Sequence, residues 1–225
     1  MRENMVSAPK DESYYTVKQL QEIADDIDKA VTIPVNIMIE ADHRVYDFSE
    51  VKEILSEAQR IVVQDCGCKT AYGNCDSPRD VCLGLDCDAD YVLKNKGTHA
   101  KEITLDEALD VLRRSHEAGL VHMAYVMKGE EKPSLICSCC SCCCHTLGGL
   151  LRHGIHAQVL SSKYIAFDDE VKCIVCGTCI SRCVFEARRM ESDKLVYDAS
   201  KCLGCGLCVT TCPTQAISMR SRDHQ

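Results

Sequence analysis

The sequence predicts an α+β protein in which a cysteine-rich part of mixed α/β structure precedes a C-terminal part built by duplication. Short β-branched runs alternate with amphipathic segments whose apolar residues recur at helical spacing. A run of four cysteines also occurs twice near the C-terminus, with an offset of 29 residues. Repetition of a whole motif at a fixed offset indicates two copies of one structural unit.

The repeated run has the spacing Cys-x-x-Cys-x-x-Cys-x-x-x-Cys. Its copies are Cys173, Cys176, Cys179, Cys183 and Cys202, Cys205, Cys208, Cys212. At the same offset, Lys172 matches Lys201 and Ala187 matches Ala216. A tight loop of this spacing directs three thiolates at a cubane-type iron–sulfur cluster, and the fourth thiolate must come from elsewhere. The pattern favours iron–sulfur binding over zinc, which prefers two Cys-x-x-Cys pairs separated by a longer insert.

Residues from about 164 to 219 resemble the bacterial ferredoxins that carry two [4Fe-4S] clusters. The resemblance implies a pseudo-two-fold domain in which the fourth cysteine of each run binds the cluster of the other run. One cluster is then expected on Cys173, Cys176, Cys179 and Cys212, and the other on Cys202, Cys205, Cys208 and Cys183. Val184 departs from the family, which usually has the proline seen here at Pro213, but this change removes no ligand.

Composition fits a redox protein of a reducing compartment. The chain has 225 residues, 46% of them hydrophobic, 19 cysteines and a net charge of -8. The N-terminal residues contain no apolar signal-peptide run, and no segment approaches the ~20 apolar residues of a membrane span. We therefore expect a cytoplasmic protein without a membrane span. The acidic balance argues against binding to nucleic acid.

We divide the chain into an acidic α/β region at 1–62, a cysteine-rich metal-binding module at 63–160 and the ferredoxin domain at 161–225. The acidic region has 7 basic and 13 acidic residues, so it carries most of the net charge. Either it only packs against the rest, or it offers a docking face for a redox partner. The expected elements are a helix capped by Thr16 and Gln19 with an apolar stripe to Val31, a strand at 33–39, a helix from Asp47 with a stripe to Ile61, and a strand at 61–63.

Eleven cysteines lie outside the two runs. The first group begins with Cys66, Cys68, Cys75 and Cys82, which we predict to bind one metal centre, most simply another iron–sulfur cluster, from an irregular loop. Cys87 is expected to be a buried, unpaired thiol. A helix capped by Thr104 and Glu107 and ended by Gly119 is expected to bring this group to the second one.

The second group contains Cys137, Cys139, Cys140, Cys142, Cys143 and Cys144. Neighbouring residues point in different directions in both strands and helices, so these thiols cannot all converge on one cubane. The run is either shared between two metal centres, or it serves one centre and leaves free thiols for redox chemistry. A larger cluster, zinc storage and disulfides are further alternatives. His145 could add a nitrogen ligand, although a capping or solvent-facing role suits a lone histidine better, and His122 is the other histidine of interest.

Residues 1–160 as a whole resemble a poorly characterised cysteine-rich module of ferredoxin-like proteins from anaerobes. The matching stretches are Cys66-Gly67-Cys68, the segment 78–83, the segment 119–122 and the segment 136–144. The resemblance implies one or two further iron–sulfur clusters and a place in anaerobic metabolism. No Pro- or Gly-rich linker joins the two parts, so we expect them to pack directly.

These patterns predict an electron carrier, or an electron-transfer subunit of an oxidoreductase, that exchanges single electrons with a partner protein. Two alternatives remain at this point. The chain could be a reductase in which the Cys137–Cys144 run forms a catalytic cluster or thiol site, although no nucleotide-binding glycine loop is visible. It could also be a scaffold that assembles or delivers clusters. The oligomeric state cannot be read from the sequence.

Overall fold

The computed structural model describes residues 15–25, 27–32, 49–94, 98–155 and 159–222. Its helices are α1 Val17–Asp25, α2 Ser49–Glu57, α3 Gly67–Tyr72, α4 Cys87–Lys94, α5 Leu105–Glu117, α6 His145–His153, α7 Thr178–Arg182 and α8 Leu207–Thr210. Its strands are β1 Ile27–Thr32, β2 Ile61–Asp65, β3 Asp80–Leu85, β4 Lys101–Ile103, β5 Val121–Met127, β6 Leu135–Cys139, β7 Val159–Leu160, β8 Tyr164–Asp168, β9 Arg188–Glu191, β10 Lys194–Tyr197 and β11 Ile217–Ser221. This mixture of helices and strands fits the α+β class.

The N-terminal part is built on one seven-stranded sheet with the order β4-β2-β3-β6-β5-β1-β7. All neighbours in it are antiparallel except β1 and β7, which are parallel. The predicted boundary at residue 62 falls inside β2, so the sheet combines strands from both sides of it. The two cysteine groups meet because β3 pairs with β6, with Leu83 opposite Ile136. Helix α5, which was expected to join the groups, packs against both of these strands.

Sequence signals located several helices correctly. The capping box of α5 is present, with the Glu107 N–H donating to Thr104 Oγ1 and the Thr104 N–H donating to Glu107 Oε2 at 2.8 Å. At the start of α1, the Thr16 N–H donates to Gln19 Oε1 at 2.9 Å. Helix α6 ends at Gly154, which adopts the left-handed conformation. Among the described residues, no helix is both long and apolar enough to cross a bilayer.

Other expectations need correction. Helix α1 stops at Asp25, and the residues that extended its predicted stripe, 27 and 31, pair with β5 in strand β1. Likewise Ile61 begins strand β2 and does not continue α2. Pairing in the sheet overrides the helical spacing of these short apolar segments. The predicted strand at 33–39 and the predicted start of α2 at residue 47 lie outside the described residues.

The segment from Cys66 to Cys82 is more regular than predicted. It contains helix α3, and Cys82 lies within strand β3. Only the residues between these two elements form an irregular connection. Cys87 was predicted to be buried, and this is wrong: it is exposed at the start of α4, and its thiol contacts Glu130 Oε1 at 3.6 Å. Asp86, directly before this helix, adopts a positive φ of 49°.

The C-terminal part is small and consists of two antiparallel strand pairs, β8 with β11 and β9 with β10. Helices α7 and α8 each follow a cysteine loop. This part packs directly on the large sheet, because Phe185 and Leu207 share an apolar cluster with Met123, Tyr125 and Leu147. A bond between His116 Nε2 and Thr210 Oγ1 at 2.8 Å and one from Arg182 Nη2 to the His116 carbonyl at 2.9 Å join the two parts at the edge of this cluster.

Candidate metal centres

The two C-terminal cysteine loops share the same backbone geometry at an offset of 29 residues. Gly177 and Gly206 precede α7 and α8 with φ and ψ values of 74° and -4°, and of 73° and -4°. Glu186 and Gln215 both have a φ of 53°. Each fourth cysteine donates its N–H to the residue three positions earlier, Ile180 in one loop and Val209 in the other. Both loops therefore present their thiols from the same local scaffold.

A small cavity of about 20 Å³ lies at the first loop, and thiols from both runs line it. They are Cys173, Cys176, Cys179 and Cys212. Three come from one loop and the fourth from the other, which is the distribution that the ferredoxin resemblance implies. Cys212 is held by a backbone N–H, because Ala216 donates to its Sγ at 3.2 Å. A hydrogen bond of this kind favours the thiolate form that binds iron.

The second set comprises Cys202, Cys205, Cys208 and Cys183, and these thiols are electrostatic neighbours. Cys205 and Cys208 are buried, whereas Cys176 of the first loop is exposed. Burial raises the pKa of Cys205 well above its usual range, and the neighbouring thiol of Cys208 adds to this effect. A bound cation would reverse that penalty by stabilising the thiolate. The donor chemistry of both sets therefore fits clusters held by four thiolates each.

Arg188 is a functional candidate that spacing could not reveal. Its side chain is 1% exposed and forms a two-pronged ion pair with Asp168 at 2.6 and 2.7 Å. The guanidinium stacks on Tyr197 at 4.4 Å from the ring centre, and Nη1 lies 4.0 Å from Cys179 Sγ. Its charge also acts on Cys208 of the second set. Arg188 thus places one buried positive charge beside thiols of both sets.

The Cys137–Cys144 run divides between two groups of thiols. Cys137 and Cys139 lie two residues apart on β6 and therefore share a face, and Cys140 follows directly after the strand. A turn carries Cys142 and Cys143, and Cys144 then becomes the N-cap residue of α6. The Leu147 N–H donates to Cys144 Sγ at 3.4 Å in this cap. One short segment therefore feeds two separate groups of thiols.

The first of these groups is a closed ring of six neighbouring thiols, which we call the six-thiol ring. Successive neighbours around it are Cys66, Cys68, Cys144, Cys139, Cys137 and Cys82, and Cys82 returns to Cys66. Its cysteines lie at the start of α3, in β3, in β6 and at the start of α6. Cys66, Cys68 and Cys82 of the predicted first set are here, but Cys75 is not.

The six-thiol ring borders a cavity of about 380 Å³, whose wall also includes Lys69, Tyr125 and His145. The Lys69 side chain is buried, and its Nζ donates to the Ser138 carbonyl at 2.8 Å. Burial opposes its charge, but the neighbouring thiols Cys66, Cys140, Cys139 and Cys82 outweigh this and raise the pKa of Lys69. Lys69 therefore supplies a positive charge that offsets thiolate charge in the interior. Sequence spacing gave no sign of this role.

The second group consists of Cys75, Cys140, Cys142 and Cys143, which we call the four-thiol site. All four are buried, and their sulfur atoms lie within 4.8 Å of one another. Cys75 Sγ is 3.6 Å from Cys140 Sγ and 3.9 Å from Cys143 Sγ, and the Cys142 and Cys143 sulfurs are 3.9 Å apart. Hydrogen bonds with Cys140 and Cys142 lower the pKa of Cys75, so this thiol favours its thiolate form.

The two histidines of interest differ in their surroundings. His145 Nδ1 lies 3.3 Å from Cys68 Sγ, at the rim of the six-thiol ring. His122 is fully buried and contacts Ser138 Oγ at 3.0 Å through Nδ1. Its ring stacks on His116 with centroids 5.9 Å apart. Burial lowers the pKa of both members of this pair, to about 4 for His116, so both are neutral at pH 7.

Residues 195–218 match the family model of the 4Fe-4S binding domain. The matched segment contains the second cysteine run from Cys202 to Cys212. No curated protein matches the chain significantly. The C-terminal part thus carries a ferredoxin-type 4Fe-4S motif, which supports an iron–sulfur electron-transfer role and at least one [4Fe-4S] cluster.

Proposed function

We propose that this chain transfers single electrons between two C-terminal [4Fe-4S] clusters and a thiolate-bound iron–sulfur centre in the N-terminal part. The C-terminal ligands are Cys173, Cys176, Cys179 and Cys212 for one cluster, and Cys202, Cys205, Cys208 and Cys183 for the other. The matching geometry of the two loops supports a pseudo-two-fold relation between the halves of this domain. The clusters supply the one-electron chemistry, and the protein binds them, excludes water and adjusts their potentials.

One observation carries the proposal. Thiols of both parts belong to a single apolar cluster, which contains Cys205 of the second C-terminal loop together with Cys139 and Cys144 of the six-thiol ring. Leu207 and Leu147 fill the space around them and are almost fully buried. A packed interior holds its side chains at fixed separations. Centres bound to these thiols therefore stay close together and shielded from water, as electron exchange requires.

The exposed first C-terminal loop suits contact with a redox partner. Cys176 in the first loop is exposed, and Val171 and Ile174 beside it are 96% and 63% exposed. An exposed apolar patch next to an electron-carrying site favours brief contact with another protein. Electrons then enter or leave through the first loop and reach the interior through the second. We further propose that the protein works in the cytoplasm of an anaerobic cell.

A reductase is the second candidate, and the cavity beside the six-thiol ring is what favours it. Its volume of about 380 Å³ is within the range of small-molecule sites, and Lys69 and His145 add polar groups to an apolar wall. A reductase must turn over a small substrate at this cavity. An electron carrier should show redox cycling without consuming any substrate.

Anaerobic purification of the full chain tests the main proposal. We expect iron and acid-labile sulfide in similar amounts, and paramagnetic signals on reduction with dithionite. Cys139→Ser should lower the iron content of the N-terminal part and leave the C-terminal signals unchanged. Cys87→Ser is the matched control, because this exposed thiol lies outside both groups. A colourless protein that contains zinc but no sulfide would contradict the proposal.

A further inference from the structure

The sulfur atoms of the four-thiol site are too close together for a cluster and have the spacing of a single ion. Four sulfurs at the corners of a tetrahedron around one metal, with a bond of about 2.3 Å, lie about 3.8 Å apart. Three of the sulfur pairs lie 3.6, 3.9 and 3.9 Å apart, and every pair lies within 4.8 Å. On a four-iron cluster each thiolate binds a different iron, so the sulfurs stand farther apart. The spacing therefore matches one tetrahedral ion.

The C-terminal thiols provide an internal reference. Among the residues that the structure describes, only Cys75, Cys140, Cys142 and Cys143 form a group of potential ligand atoms that all lie within 4.8 Å of one another. The sulfur atoms of the two C-terminal sets are not all within this distance of one another, although each set also consists of four cysteines. The short distances thus distinguish the four-thiol site from sets that match a known cluster motif.

The surroundings of the site are those of a closed structural centre. All four thiols are at most 6% exposed. The fully buried Asn74 donates from Nδ2 to the Cys142 carbonyl at 3.0 Å, and Arg152 donates to the Ser141 carbonyl. These bonds fix the two loops that carry the ligands. A site of four cysteines without an open position is typical of structural metal ions.

We propose that Cys75, Cys140, Cys142 and Cys143 bind one tetrahedral thiophilic ion, zinc or mononuclear iron, that is separate from the iron–sulfur clusters. The ion ties the connection between α3 and β3 to the turn that follows β6. It thereby fixes the turn from which Cys144 returns to the six-thiol ring. This inference does not depend on the proposed electron-transfer function, because the ion needs no redox change to act as a cross-link.

Metal analysis of the full chain provides the test. As purified without oxygen, the protein should contain one zinc, or one iron in excess of sulfide, per chain. If the ion is zinc, X-ray absorption at the zinc edge, to which cluster iron does not contribute, should show four sulfurs at about 2.3 Å and no second metal nearby. If the ion is zinc, growth with Co²⁺ should give the visible bands of tetrahedral cobalt thiolate. If it is iron, Mössbauer spectra should show a mononuclear ferrous or ferric thiolate site.

Cys75→Ser and Cys142→Ser should each lose that one ion and retain the sulfide content of the native protein. Cys87→Ser should keep both. Loss of iron and sulfide together in Cys75→Ser, or metal–metal scattering at the zinc edge of the native protein, would overturn the proposal. If the variants do not fold, zinc-edge absorption or Mössbauer spectra of the native chain still decide. If dithionite produces no paramagnetic signal, the proposed electron transfer is refuted, but this inference is unaffected.

Discussion

The two cysteine-rich regions differ in what positions their thiols. In the C-terminal part, one tight loop supplies three thiols of each set, and the same backbone geometry occurs in both loops. In the N-terminal part, the six-thiol ring takes its members from α3, β3, β6 and the start of α6. Local spacing therefore determines the C-terminal sites, whereas the pairing of β3 with β6 determines the N-terminal ones. Only sites of the first kind can be recognised in a sequence.

The largest effect is expected where the second C-terminal loop contacts strand β8. Gly204 has a φ of 80°, and an added Cβ would lie 2.1 Å from the Tyr164 carbonyl oxygen. Gly204→Ala must therefore displace the backbone, and we expect loss of one of the two proposed C-terminal clusters, measured as iron and sulfide. Gly177→Ala is the control, since its Cβ meets nothing closer than 3.8 Å. It should keep both clusters and cost about 1–2 kcal/mol for the left-handed backbone.

Equal iron contents in the two variants would show that the second loop does not depend on its contact with β8. The first loop carries Val175 at the position that corresponds to Gly204, with a φ of 53°. A side chain fits there because that loop faces solvent, and Val175 is 41% exposed. The two C-terminal loops therefore differ in how closely their backbones approach the rest of the protein.

A smaller effect is expected at the junction of the two regions, where His116 lies. Burial and the nearby Arg182 charge lower the pKa of His116 from 6.5 to about 4. Between these values the unfolded chain binds a proton that the folded chain does not, so stability falls as the pH falls below 6.5. The loss is about 1.4 kcal/mol per pH unit. Anaerobic thermal unfolding from pH 7.5 to 5.5 should show it.

His116→Gln should weaken this pH dependence, because glutamine binds no proton and can still bond to Thr210. The neutral partner His122 contributes a loss of the same sign in both proteins, and cluster lability in acid is likewise shared. The difference between the two unfolding profiles therefore isolates His116. Parallel profiles would mean that His116 is already accessible to protons in the folded protein.

The smallest effect concerns electrostatics within the C-terminal region. Reduction adds negative charge to a cluster, and the buried Arg188 charge stabilises that state. Arg188→Gln should lower the potentials of both proposed C-terminal clusters by on the order of 60 mV, a tenfold change in a one-electron equilibrium. Redox titration followed by paramagnetic resonance measures this. Arg189→Gln removes the same charge from an exposed position and should shift them much less.

If only one C-terminal potential changes in Arg188→Gln, the charge of Arg188 acts on only one of the two sets. The potential of the N-terminal centre should not change measurably. A shift there of the same size would mean that the two regions are electrostatically coupled.

The sequence predicted the elements whose signals are local. The capping box at Thr104 and the cysteine spacing at 202–212 are examples, because short-range geometry determines them. The β1 strand, the exposure of Cys87 and the buried charge of Lys69 were not predicted. Each depends on what a residue meets across the sheet or beneath a neighbouring element. The spacing of the N-terminal cysteines also did not predict which of them join the six-thiol ring and which the four-thiol site. Strand and turn positions direct neighbouring side chains differently, and no longer motif specifies the outcome.

Strand β6 carries a constraint on the evolution of this chain. Ile136 and Leu135 are fixed opposite Leu83 and Gly84. Inserting one residue directly before Cys137 would turn Cys137 and Cys139, which belong to the six-thiol ring, to the opposite face of the sheet. Length changes in this hairpin should therefore be tolerated at its solvent-facing turn near Gly129, and hardly at all between Ile136 and Cys144.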